Sequence, residues 1–156
     1  MFDHVTPMNL QPIGIVHSDF KEPTSARLDL NKIIAQIEID PHLTQALEGL
    51  EGFSHIIVLF WLHGAHYDKK QLKGLPMGNP NVAPQGLFAL RTTKRPNPIG
   101  ITTVRLLEKR GNILEVQGLD AIDGSAVIDI KPYIPGYDSA LKAVVPDWVQ
   151  LEKEQL

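Results

Sequence analysis

Cysteine is absent from all 156 residues. Its absence excludes disulfides, thiolate metal sites and a cysteine nucleophile, and it suits a reducing cytoplasm, the expected location. Long apolar runs are also missing. The longest, Ile56 to Leu62, is far too short to cross a bilayer, so no membrane role is expected. Met1 to Leu10 lacks a basic region followed by an apolar one and does not read as a secretory signal. Several signatures of cofactor and hydrolase chemistry are absent. No G-x-G-x-x-G follows a strand, which argues against a Rossmann-type dehydrogenase or methyltransferase. There is no Walker loop, no G-x-S-x-G and no H-E-x-x-H.

Acidic residues are missing from one stretch. Between Asp68 and Glu108 there is none, while Lys69, Lys70, Lys73, Arg91, Lys94, Arg95 and Arg105 supply seven positive charges. The other 8 Lys and Arg share the rest of the chain with all 18 acidic residues, so a net charge of −3 hides a strong division. Such a division points to an anionic ligand near the middle segment, or to a solvated basic loop. Aromatics do not interleave with these cations along the sequence as they do in single-strand nucleic-acid platforms.

The remaining pattern is that of a mainly-β chain. A strand is expected over Leu10 to His17, then a polar loop from Ser18 to Asp29. Lys32 to Ile39 places Ile33, Ala35, Ile37 and Ile39 on one face of a second strand. Asp40-Pro41 is a helix start, with an aspartate cap and proline at the first helical position, and the helix should end near Gly49 or Gly52. His55 to His63 is nearly all apolar and reads as a strand buried on both sides. Gly64 to Gln85 is a long loop, and Leu87 to Arg91 a short strand. Strands over Gly100 to Glu108 and Ile113 to Gln117 flank a turn at Arg110-Gly111-Asn112. Asp123-Gly124 is a turn before a strand from Ser125 to Lys131. Pro146-Asp147 opens a terminal helix, with Asp147 and Gln150 spaced as in a capping box. The expected architecture is one compact β-barrel over residues 10–140 with short helices, a tail over 1–9, and a tail with a short helix over 141–156.

Two segments carry candidate chemistry. In Gly86-Leu-Phe-Ala-Leu-Arg-Thr-Thr-Lys-Arg-Pro-Asn-Pro-Ile-Gly100, Pro96 and Pro98 restrict the backbone around Asn97, so the loop is stiff. A guanidinium such as Arg91 suits a planar carboxylate or phosphate. The alternative is a tight corner whose cations are only solvated. In Gly118-Leu-Asp-Ala-Ile-Asp-Gly-Ser-Ala-Val-Ile-Asp-Ile-Lys-Pro-Tyr133, the carboxylates Asp120, Asp123 and Asp129 stand close together. They could act as bases or hold hydroxyl groups, or serve only a turn and a lysine pair. No His or Glu joins them at metal-ligand spacing, so no metal is expected. His63-Gly-Ala-His66 closes a strand, where His63 fits a pocket-lining hydrogen bonder better than a zinc ligand.

Phe88-Ala-Leu-Arg-Thr-Thr-Lys-Arg-Pro-Asn-Pro-Ile-Gly100 closely resembles the signature of the TsaA-like (TrmO-type) methyltransferase family, in which F-A-T-R-S runs into R-P-N-P-I-G. Gly118-Leu-Asp120, Asp123-Gly124 and Asp129-Ile-Lys-Pro-Tyr133 resemble its second block. Leu50-Glu51 with Phe53-Ser54-His55, and Ile13-Gly-Ile-Val with Lys21-Glu22, resemble its others. The resemblance runs in order from about residue 10 to 138. It implies a homodimeric β-barrel that binds S-adenosylmethionine and methylates N6 of threonylcarbamoyl-adenosine at position 37 of tRNA, beside the anticodon. It implies cofactor contacts at His63, Gly64, Arg91, Ile101, Gly124, Ser125, Ala126 and Val127. The family's first loop aligns with Thr24, Ser25, Ala26 and Arg27 as further contacts, although its usual Pro-Arg-Gln segment is not matched there. Lys94, Arg95 and Asn97 are the expected tRNA contacts, and Arg91, Asp123 and Asp129 the expected catalytic group, with His63 a further candidate base. Some bacterial members continue into a C-terminal domain. A barrel without it is expected to hold tRNA differently, to use a partner or to act on another substrate. Two other readings stand beside tRNA methylation: a regulatory module that binds the cofactor without catalysis, and a methyltransferase for a small molecule.

Overall fold

The computed structural model describes residue 6, residues 8–22 and residues 29–149, which fall into two compact units. The first takes the chain up to Ala65 and then Pro98–Tyr133; the second takes His66–Asn97 and the chain from Ile134 onward. Among the described residues eight strands follow in order: β1 (Gly14–His17), β2 (Ile34–Ile39), β3 (His55–Trp61), β4 (Lys73–Gly74), β5 (Gln85–Gly86), β6 (Ile99–Arg110), β7 (Ile113–Gln117) and β8 (Ala126–Pro132).

The first unit is a closed barrel in the order β1-β2-β7-β6-β3-β8, antiparallel throughout. Its interior follows from alternation. β2 sends Ala35, Ile37 and Ile39 inward and β3 sends Ile56, Val58 and Phe60, all 3% exposed or less. Val16, Val104, Leu114, Val116 and Val127 complete the core from the other strands. Two irregularities help the six strands close. β3 pairs Leu59 with Asp129 but Phe60 with Val127, leaving Ile128 as an extra residue. β6 pairs Leu106 with Val116 but Glu108 with Glu115, leaving Leu107 extra. Each bulge bends its strand and increases the twist that closure requires. Close strand approach needs glycine at two places. A Cβ on Gly14 would collide with the Glu38 carbonyl oxygen, and one on Gly100 would lie 2.5–2.9 Å from three ring carbons of Phe60.

Several expectations hold closely. The β6–β7 hairpin turns on Gly111 and Asn112, with Gly111 at φ 60°, the positive angle that glycine supplies at the first central position of a tight hairpin turn. Asp40 caps a helix and Pro41 opens it, the carboxylate accepting from the His42 amide at 2.9 Å. That helix is of 3-10 type and ends at Leu47.

Others are corrected. The first strand starts at Gly14, although Ile13 still donates to the Val127 carbonyl at 2.8 Å, and Pro12 before it has no N–H with which to extend the ladder. β3 is buried on its inner face only; Ile57, Leu59 and Trp61 on the outer face are half-buried. The expected strand over Leu87 to Arg91 is instead a 3-10 turn, Leu87–Ala89. Three residues per turn put Leu87 and Leu90 on one face. Both are buried, whereas strand alternation would have separated them. Residues 147–149 are helical, and Gln150, the partner in the expected capping box, lies outside the described residues.

The second unit contains the β4–β5 ribbon, in which Lys73 pairs with Gly86 and Gly74 with Gln85. Leu90 packs over it, its Cδ1 3.3 Å from where a Cβ on Gly74 would lie.

Candidate functional site

Strand β3 is the axis of one barrel rim. On one side Leu59 pairs with Ile101 and Trp61 with Ile99; on the other Phe60 pairs with Val127. The register therefore places Ile101 and the start of β8 on either flank of the end of β3, where His63 follows. His63 Nδ1 lies 3.4 Å from Ser125 Oγ, and Ser125 is 1% exposed. Of the residues expected to touch a cofactor, His63, Gly64, Ile101, Gly124, Ser125, Ala126 and Val127 thus belong to one unit and gather about one rim. Thr24, Ser25, Ala26 and Arg27 lie outside the described residues.

Residues 118–125 form this rim because they alternate between plug and surface. Leu119 and Ala121 are fully buried in the barrel core, while Asp120 between them is exposed. Asp120 Oδ1 accepts a 2.6 Å hydrogen bond from the hydroxyl of Thr102, one residue past Ile101 on β6. Gly124 takes φ 77° at the turn and donates from its N–H to the Val16 carbonyl at 2.8 Å, docking the segment on β1. Ser18 Oγ donates to the Ala121 carbonyl at 3.1 Å.

The carboxylates proposed from sequence differ in their partners. Asp123 Oδ2 is 2.8 Å from Lys21 Nζ, and its Oδ1 accepts from the Ser18 amide at 3.0 Å. The Lys21 hydrogen bond first, then the Ser18 amide, hold the Asp123 carboxyl below the usual aspartate range. Asp129 Oδ2 is 2.7 Å from Lys131 Nζ, a hydrogen bond that raises the lysine's pKa. Asp120 has a neutral hydroxyl where those two have ammonium groups. The sequence raised Asp120 only as one of three clustered acids. The Thr102 hydroxyl beside it lies 18 residues away along the chain, with no motif to link the two.

An open, mostly polar cavity of ≈ 430 Å³ adjoins Lys21 and Asp123, lined also by His17, Ser18, Gln36 and Glu115. A more apolar cavity of ≈ 510 Å³ lies elsewhere on the barrel, among Ile13, Ile39, Leu47, Leu50, Phe53 and Ile130. Among the described residues no group of three or more His, Asp or Glu could hold a metal ion, and no helix is long and apolar enough to cross a membrane.

The second unit holds the other candidates: Arg91, Lys94, Arg95 and Asn97. The Arg95 side chain is tied down, donating from one guanidinium nitrogen to the Leu90 carbonyl at 2.8 Å and the Thr92 carbonyl at 3.4 Å. Its Cζ lies over the Phe88 ring, 5.9 Å from the centroid. Along the sequence aromatics and cations do not interleave, yet here one aromatic and one cation meet in space. The loop folds back, so residues seven apart along the chain meet. Lys94 donates its amide to Thr92 Oγ1 at 3.3 Å. Among the described residues, no ion pair engages Lys69, Lys70, Lys73, Lys94 or Arg95.

The sequence profile of the tRNA-methyltransferase O N-terminal domain family matches residues 15–139. A probable S-adenosyl-L-methionine-binding protein of Methanothermobacter thermautotrophicus is 44% identical over 136 residues, covering 85% of this chain and 94% of that one. The tRNA (adenine(37)-N6)-methyltransferase of Escherichia coli is 34% identical over 149 residues, covering 86% of this chain and 61% of that one. The crystal structure of TrmO from Pseudomonas aeruginosa superposes with a TM-score of 0.75 at 31% identity, over 95% of this chain and 64% of that one. The chain therefore spans under two thirds of these two bacterial proteins and nearly all of the Methanothermobacter thermautotrophicus one.

Proposed function

This chain belongs to the tRNA-methyltransferase O N-terminal domain family, and from that premise we propose that it is an S-adenosylmethionine-dependent methyltransferase acting on the N6 of adenosine 37 in tRNA. The observation that carries the reading is the family match over residues 15–139, with Escherichia coli and mouse relatives named tRNA (adenine(37)-N6)-methyltransferase at 34% and 43% identity. Threonylcarbamoyl-adenosine is the proposed acceptor, and a cytoplasmic homodimer the proposed form.

The rim suits such a cofactor chemically. Ile101, 50% exposed, offers an apolar surface to an adenine. The exposed carboxylate of Asp120 is an acceptor for ribose hydroxyls, and anionic side chains suit a sulfonium better than cations do. When bound, S-adenosylmethionine supplies a methyl group on a sulfur that already carries positive charge and leaves as a neutral thioether. The protein's task is then alignment, which supplies most of what such a displacement needs. His63, Ser125 and the backbone from Gly124 to Val127 hold one side of the rim, and Ile101 holds the other. By its place in the matched family motif, Arg91 is proposed to bind a carboxylate, that of the methionine moiety or of the substrate's threonyl group, because a guanidinium binds such a group through two oxygens. An amide-like nitrogen also has a proton to lose. Asp123 and Asp129 are each committed to a lysine, so they serve as anchors more readily than as bases. Asp120 and His63 are the freer acceptors on the rim.

The test is labelled methyl transfer to total tRNA from a strain lacking this modification, followed by nucleoside analysis. Label in the threonylcarbamoyl-adenosine peak is the expected result, and Arg91→Ala should abolish transfer or cofactor binding. No label with cofactor binding intact would overturn tRNA as the acceptor and leave a binding module or another acceptor. It would favour a non-catalytic binding module, a reading supported by the Methanothermobacter thermautotrophicus relative of similar length.

A further inference from the structure

Phe88 is a large apolar ring that the fold leaves in solvent with a cation over it. It is 81% exposed, yet it lies between the fully packed Leu87 and Leu90. The 3-10 turn explains its position. With three residues per turn, Leu87 and Leu90 share the buried face, and the residue directly after Leu87 is rotated a third of a turn out of it. Exposing a large ring costs hydrophobic stabilisation that a polar residue there would not forgo.

The surroundings of the ring are specific. Arg95 lies over it at 5.9 Å, and the same guanidinium is fixed by the carbonyls of Leu90 and Thr92. One face of the ring is therefore backed by a cation that the loop itself holds in place, and the other face is open to solvent. The segment His66–Asn97 of this unit carries Lys69, Lys70, Lys73, Arg91 and Lys94 besides Arg95, with no acid after Asp68. A flat, apolar face on a segment rich in cations and free of acids after Asp68 matches a group that is planar and attached to a polyanion. Unpaired nucleobases are such groups, and single-stranded nucleic acids are held by aromatic stacking alongside cations that follow the backbone.

We propose that the open face of Phe88, backed by Arg95, is a stacking platform for one unpaired base of an RNA loop. The proposal rests on the tRNA reading above and adds to it a residue and a mode of contact. Phe88 supplies the stack and Lys94 meets phosphate. Arg95 is a positioning residue, setting the ring while its own hydrogen bonds go to the backbone. A platform of this kind takes a base already free of its helix, so hairpin loops should bind in preference to duplex.

The experiment uses the full chain and a short RNA hairpin with 2-aminopurine in its loop, compared with the same strand annealed to its complement. Binding is read by anisotropy and stacking by quenching of the 2-aminopurine. Wild-type protein should prefer the hairpin and quench the probe. Phe88→Leu keeps an apolar side chain but no ring, and should weaken hairpin binding by about tenfold and lose the quench. Phe88→Trp should retain both. Arg95→Lys keeps the charge but not the planar fork, and should fall between. Tyr137→Ala, removing another ring of the same unit, 86% exposed and without Arg95 over it, should bind as wild type. Wild-type affinity and quenching in Phe88→Leu would overturn the platform and leave the tRNA reading intact. So would a change of oligomeric state in Phe88→Leu with RNA affinity preserved, which would make the ring a contact between chains. Failure of the wild-type protein to bind either RNA would instead overturn the tRNA reading itself.

Discussion

Lys21 and Asp123 meet at 2.8 Å, and the second oxygen of the same carboxylate takes the Ser18 amide at 3.0 Å. One side chain thus clasps the loop after β1 to the turn before β8, over a sequence separation of 105 residues between Ser18 and Asp123. Because this loop and this turn both border the proposed cofactor rim, the clasp links barrel closure to the shape of the site.

Its pH dependence follows in sign. Lys21 and the Ser18 amide lower the folded-state pKa of Asp123 below its unfolded value. The resulting stability is fully present above the ordinary aspartate range and is lost as pH falls through the lowered folded value. Asp123→Asn should therefore melt below wild type at neutral pH, with the two curves converging in acid. Thermal melts across a pH series check this, and a constant offset at every pH would show that the clasp does not depend on charge. High salt should narrow the neutral-pH gap, since the Lys21 side chain is exposed.

Gly100 is a packing requirement with a defined partner. A methyl there would lie 2.5–2.9 Å from Phe60, a ring 2% exposed inside the barrel. Gly100→Ala should cost about 1–3 kcal/mol in urea unfolding, the usual penalty for overpacking a core. Combining it with Phe60→Leu should recover part of that loss relative to the sum of the single changes, because the colliding ring is gone. Strict additivity would mean that the barrel relaxes around the methyl by another route.

Thr102 and Asp120 test whether the rim is built for chemistry or for stability. Their hydrogen bond, at 2.6 Å, lies on the exposed side of the plug segment. Thr102→Val removes the hydroxyl and keeps the shape. If Asp120 has to be aimed, methyl transfer should drop by about tenfold or more while the melting temperature hardly moves. By contrast, Leu119→Ala, next in the chain but 0% exposed, should cost about 2–5 kcal/mol of stability. An unchanged rate in Thr102→Val would remove Asp120 from the reaction.

Much of this was legible in the sequence because alternation is a strong signal. Ala35, Ile37 and Ile39 read as one face of a strand, and they form one. The Asp40-Pro41 cap and the Gly111 turn are local chemistry, decided by residues a few positions apart. What was missed depends on contacts between distant residues. Nothing near Thr102 marks Asp120 as its partner, and nothing near Ser18 marks Asp123. Phe88 was missed for another reason. Leu87 to Arg91 suits either a strand or a tight turn, and short apolar segments do not distinguish the two periods. The choice between them decided which side of the chain the ring would face.

The cations of the second unit make the last prediction separable from the one on Phe88. Among the described residues Lys94 is in no ion pair, and it lies in the loop that Arg95 ties down. If its ammonium meets an RNA phosphate, binding releases a counterion there. The affinity should then fall with salt, by a slope of about 0.7 to 0.9 per phosphate on logarithmic axes. Lys94→Ala should weaken binding at low salt and make that slope shallower by about one contact. A stacking residue contributes no such term, so Phe88→Leu should lower affinity at every salt concentration and leave the slope unchanged. Titrations of the same hairpin at several salt concentrations read both effects from one set of curves. Parallel lines for Lys94→Ala and wild type would place the phosphate contact on another cation of the unit.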